Sequence, residues 1–258
     1  KGATENLLAS PELANIVRLG FALTSFKSSH AKALATAPHF TNLTLLDISM
    51  ASVKPAALSH ISKATAFRLQ FLDAGHNKLG ERGGKIIAKA KTGVFKDLET
   101  LILEGCELGD AGVTWLAGAD LPRLHTLNLT RNEITVAGMA ALAASTSLPA
   151  LKHLEIQEIH NLGPEGIEAL AGAPLWGSLE SLRWSTNNFD DDAAPGSARA
   201  LVALPDFPGL RALNMNVAGL DDADLEALAG CEAMARCESL SVSYNPAITG
   251  RGVAALVN

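Results

Sequence analysis

Apolar residues return along this chain nine times in one spacing, Leu-x-x-Leu-x-Leu-x-x-Asn-x-Leu. Units begin at Ile16, Leu43, Leu69, Leu98, Leu124, Leu151, Leu179, Leu210 and Cys237, so successive starts lie 27, 26, 29, 26, 27, 28, 31 and 27 residues apart. Within a unit the middle leucines alternate with other residues, the period-two signature of a strand with one buried face. The stretch that follows, such as Gly112 to Ala117 or Gly166 to Ala171, spaces its apolar residues three and four apart, as a helix burying one side does. Each unit is therefore predicted to be a strand followed by a helix. A repeat of this length predicts a solenoid in which each unit touches only its neighbours. Asn77, Asn132, Asn187 and Asn245 stand where the chain leaves the strand, where a short amide satisfies turn backbone groups. Cys106 and Ala218 stand in that place in two other units, and those turns are expected to be less well secured.

The helical segments are rich in Ala and Gly, as in Ala140-Ala141-Leu142-Ala143-Ala144 and Ala169-Leu170-Ala171-Gly172. Small residues let neighbouring helices approach closely. Parallel strands stack about 4.8 Å apart, whereas helices need roughly 8–10 Å. The mismatch bends the stack, strands inside and helices outside, into an expected arc on the order of half a ring.

Two units show the pattern most fully. One runs Leu124, Leu127, Leu129, Asn132, Ile134, Gly138, Leu142; its predecessor runs Leu98, Leu101, Leu103, Cys106, Leu108, Gly112, Leu116. Both resemble the ribonuclease-inhibitor-like subclass of leucine-rich repeats, and the resemblance extends from Ile16 to the end of the chain. It implies an α/β horseshoe with a parallel sheet on the concave face and helices on the convex face. That subclass includes enzyme inhibitors, GTPase activators and sensor domains, so the resemblance implies protein binding without naming a partner. The Ala-rich helices are also similar to those of bacterial repeat proteins.

The 258 residues, 48% of them apolar, supply ample material for one continuous core. Residues 1–15 are expected to form an entering helix or partial repeat around Leu7, Leu8 and Leu13, and 16–258 a single repeat domain. The chain opens at Lys1 without Met and closes at Asn258 within the ninth helical segment, where no polar cap is evident. The expectation is a fragment of a longer chain, or an open end that self-associates. A net charge of −6 argues against general nucleic-acid binding, and no apolar run approaches a membrane span. Cys106, Cys231 and Cys237 lack the paired spacing of disulfide caps, which points to a reducing, cytoplasmic setting.

On the predicted inner face lie the third, fifth and seventh residues of each unit. Leu45, Phe71 and Ile102 are apolar where an isolated sheet would be polar, and Asp47, Asp73 and Glu104 rim them. Such a patch suits a protein-contact hot spot, or packs against itself or a terminal segment. A second group comprises Arg131, His153, Glu155, Glu158 and Arg183, which either pair with one another or set a partner's register. The later units present Ser, Asn and Ala with Tyr244 nearby, and Trp184 occupies a core leucine position. Trp115 and Trp176 fall on the helical side.

Catalytic motifs are missing from this pattern. Gly80, Gly83, Gly84 and Lys85 hint at a nucleotide loop, yet Ile86 stands where a hydroxyl is required. Asp190-Asp191-Asp192 lack the glycine and distal Glu of a calcium loop. No cofactor and no metal is expected. The reading is a non-enzymatic scaffold for another protein, with a basic patch on the partner favoured by the acids of the face. A GTPase-activating or other regulatory role, or service as the targeting part of a larger enzyme or bacterial effector, stays open.

Overall fold

The computed structural model describes residues 2–159, 162–186, 195–205, 207 and 209–257. Its strands are β1 (Arg18–Gly20), β2 (Leu45–Asp47), β3 (Phe71–Asp73), β4 (Thr100–Ile102), β5 (Thr126–Asn128), β6 (His153–Ile156), β7 (Ser181–Trp184), β8 (Ala212–Asn214) and β9 (Ser239–Ser241). They form one parallel sheet in sequence order. Every strand starts at the third residue of a unit, so the leucine spacing locates the sheet without slippage. The fourth-position side chains Leu46, Leu72, Leu101, Leu127, Leu154, Leu182 and Leu213 are buried, while their neighbours on either side are not.

Helices α1 (Ala3–Leu8), α2 (Ser28–Thr36), α3 (Pro55–Ile61), α4 (Gly80–Ala88), α5 (Gly109–Ala117), α6 (Val136–Ala143), α7 (Pro164–Glu168), α8 (Ser197–Ala203), α9 (Asp222–Ala229) and α10 (Gly250–Val257) pack each on the next. The approach is closest between α4 and α5, where a Cβ on Gly84 would run into the Gly112 carbonyl oxygen. That contact accounts for a glycine in the segment that hints at a nucleotide loop. Trp184 and Trp176 are 1% and 2% exposed, so both indoles are core. At the far end, Leu240, Val253, Leu256 and Val257 are exposed.

The turn asparagines do more than cap their own units. Asn132 Nδ2 donates to Leu129 O and Thr130 O of its own turn, at 3.0 and 3.1 Å, and to Leu103 O of the preceding unit at 2.7 Å. Its Oδ1 accepts from the backbone N–H of Cys106 and of Leu108, both at 3.1 Å. Asn245 repeats the arrangement on Ala218 N and Leu220 N, both at 3.0 Å, and on Met215 O. Asn77 does the same for Val53 N and Ile48 O. The expectation that the Cys106 and Ala218 turns are poorly secured is thus overturned. Units two, four and eight carry Ala51, Cys106 and Ala218 at the ninth position, and there Asn77, Asn132 and Asn245 of the following unit supply the acceptor. In these three pairs the structural repeat is two units long.

Candidate protein-binding face

The parallel register turns the inner-face residues into rows. One row reads Arg18, Leu45, Phe71, Thr100, Thr126, His153, Ser181, Ala212 and Ser239; the next reads Gly20, Asp47, Asp73, Ile102, Asn128, Glu155, Arg183, Asn214 and Ser241. Leu45 and Phe71 are direct partners. Ile102 lies in the second row opposite Asp73, so the three apolar residues make a bent patch rather than a stripe. All three are half-buried.

Asp47 and Asp73 are paired across β2 and β3. Asp73 Oδ1 accepts from Gly75 N–H at 2.9 Å, and Asp47 Oδ1 accepts from Ser49 N–H at 3.0 Å and from Ser49 Oγ at 2.7 Å. Neither carboxylate forms an ion pair among the described residues. Burial holds the Asp73 pKa above the usual carboxylate range, and the negative charges of Asp47 and Glu104 add to the shift. In β5 and β8 the equivalent places are filled by Asn128 and Asn214, whose Oδ1 atoms accept the same turn bond from Thr130 N–H at 2.9 Å and Asn216 N–H at 3.1 Å. The turn therefore requires an acceptor, and an amide serves. The charge on Asp73 is not needed for it.

Further along the arc the charges are matched. Arg131 makes a two-pronged contact with Glu158, its Nη2 to Oε1 at 2.7 Å and its Nε to Oε2, and lies 3.5 Å from Glu104. Glu104 also sits 3.2 Å from His76 Nε2. Arg183 Nε lies 3.8 Å from Glu155, which accepts from Asn128 Nδ2 at 3.1 Å. His153 stands in the other row, outside this network among the described residues. Of the two readings of this group, self-pairing is the one the geometry shows. The Asp190-Asp191-Asp192 run and Asn187 lie outside the described residues.

Sequence reasoning missed one feature of the rim. The residue at the eighth position of eight units, namely Leu23, Met50, His76, Gly105, Arg131, Glu158, Val217 and Tyr244, has φ between 50° and 59°. Only one of them is glycine. Left-handed backbone costs other residues about 1–2 kcal/mol each, and it turns their side chains out along the edge of the sheet. Leu23 and Tyr244 are 78% and 79% exposed. The signal available in the sequence was the varied residue that precedes the ninth position of each unit.

No helix among the described residues is long and apolar enough to cross a membrane. A family model described as Leucine Rich repeat matches residues 96–117 and 122–143, which run from two residues before the fourth and fifth units to the ends of their helices.

Proposed function

On this leucine-rich repeat solenoid, a fold whose repeats generally mediate protein–protein contacts, we propose that the concave face of units two to four binds a partner protein presenting a cationic group beside apolar side chains. The contact would centre on Leu45, Phe71 and Ile102, with Asp47, Asp73 and Glu104 as its acidic component. Arg131, Glu155 and Arg183, already paired within the face, and His153 in the other row lie beyond it and border the contact. The domain acts by binding and carries no catalytic step of its own. The full α-helix in most units supports the ribonuclease-inhibitor-like reading. Free thiols at Cys106, Cys231 and Cys237 support a cytoplasmic setting, and burial pushes the Cys106 thiol up to about 12.

One observation carries the main reading. Asp73 keeps a charge that its turn does not require, in a half-buried place where two other acids repel it, although asparagine fills the equivalent position in two other units. A charge held against the interest of stability is what a binding surface accumulates. The test is affinity capture with the parent protein and with Phe71→Ala and Asp73→Asn variants, each shown to be folded. A partner that is recovered by the parent and lost by both variants supports the site. Equal recovery by all three overturns it.

A further inference from the structure

The charge of this chain is unevenly distributed. Residues 54–96 hold nine of the 21 Lys and Arg but only two of the 27 Asp and Glu, a local balance of +7 in a chain of −6. The segment covers α3, β3 and α4. Its acids divide between the two sides: Asp73 faces inward, and Glu81 lies on the helical side with the cations. Net charge conceals this cluster.

On the convex side the cations converge. A groove of about 770 Å³ runs between α3 and α4, lined by Lys63, Arg82, Lys85, Lys89 and Lys91. None of these five forms an ion pair among the described residues, although Lys78 and Lys96 nearby do, with Glu107 and Asp120. Glu81 is the one acid of the groove, and its Oε1 accepts from Trp115 Nε1 at 3.2 Å. Lys85 and Lys89 lie one helical turn apart, and their ammonium groups approach the same Trp115 ring, at 4.9 and 5.1 Å from its centroid. Like charges at that spacing oppose one another. An anion between them would relieve the repulsion while the indole holds both in place.

We propose that the α3–α4 groove is a second binding site, on the face opposite the concave patch, for an acidic polypeptide segment rich in Asp or Glu. The exposed large apolar residues among those described lie elsewhere, so the groove offers no wedge to a bilayer. Residues 97–258 carry 22 acids against eight Lys and Arg, which would repel the continuation of an extended nucleic-acid strand beyond the groove. A short acidic segment matches the five cations without reaching that region. Together with the concave patch, the site would let units two to four hold a cationic surface on one side and an anionic one on the other.

The experiment titrates the whole chain with an oligoglutamate peptide of about ten residues, following tryptophan emission and binding heat. Trp176 and Trp184 are buried, so a response reports Trp115. Binding is expected to weaken with added salt and to fall by about tenfold or more in Lys85→Gln/Lys89→Gln. The Lys63→Gln/Lys91→Gln variant, which leaves the indole contacts alone, should weaken binding as well, and Phe71→Ala should not. Peptide affinity equal in the parent and both lysine variants would overturn the proposal. So would tighter binding of a uridylate oligonucleotide or of phosphatidylserine vesicles than of the peptide.

Discussion

The eighth and ninth residues of each unit are neighbours in the chain and obey opposite rules. From the second unit on, the ninth residue, where described, is buried and is either an amide or a small or apolar residue, because Asn77, Asn132 and Asn245 each serve two turns at once. The eighth, apart from the buried Thr186 of the seventh unit, holds a left-handed backbone conformation yet carries Leu, Met, His, Gly, Arg, Glu, Val or Tyr. Burial fixes identity where backbone groups have no water to turn to. Exposure leaves chemistry free even where the backbone would favour glycine. A repeat protein thus separates the residues that hold it together from those that give it something to bind.

The sharpest test of that contrast is Asn132→Ala. It leaves Cys106 N–H and Leu108 N–H without an acceptor and removes a donor from three carbonyls, all of them buried. At about 1–3 kcal/mol for each orphaned group that finds no water, the expected loss is about 3 kcal/mol or more. Chemical denaturation measures it. Hydrogen exchange should show the loss spreading into unit four as well as unit five. Protection lost in unit five alone would break the two-unit account.

The eighth position should respond in the opposite sense. Val217 is β-branched and held at φ 54°, the least favourable combination in the row. Val217→Gly is expected to raise stability by roughly 1 kcal/mol, the relief of strain exceeding the entropy that glycine adds to the unfolded chain. Unchanged or lowered stability would mean that packing of the valine outweighs its backbone strain. A smaller effect is expected of Arg131→Ala. Its ion pairs with Glu158 and Glu104 are open to solvent, and such pairs contribute about 0–1 kcal/mol. A loss well beyond that range, unaffected by salt, would assign Arg131 to the structural set.

The sheet, its register and the core place of Trp184 were legible because each depends on spacing inside one unit. What the spacing could not show are contacts between units. The reach of Asn132 back to Cys106 spans 26 residues, and no local pattern announces it. Ile102 aligns with Asp73 rather than Phe71 because it is the fifth residue of its unit, a distinction lost when neighbouring strands are named without their rows. The convex groove escaped notice because cations from α4 and from the segments after α3 and α4 meet only when the helices pack. Total charge hid them further. The acidic and apolar residues of the inner face were visible one by one, but which charges are matched depends on cross-strand geometry.

Asp73→Asn is the subtlest change and bears most directly on the contrast between structure and function. The native carboxyl has a pKa above its unfolded value, so the folded chain holds the proton more tightly between the two. Stability therefore falls as pH rises from the ordinary aspartate range through the raised native pKa, and the penalty is complete above that native value. The amide keeps the acceptor for Gly75 N–H and removes the repulsion from Asp47 and Glu104. Asp73→Asn should raise the melting temperature modestly at neutral pH and leave it unchanged in acid below the unfolded pKa. In the parent, partner affinity should weaken as pH falls through the native pKa, while the variant, weaker at neutral pH, should be insensitive to pH at this position. A variant that gains stability and loses affinity identifies a residue maintained for binding. If it loses stability at neutral pH, the charge belongs with the asparagines among the groups that hold the turns.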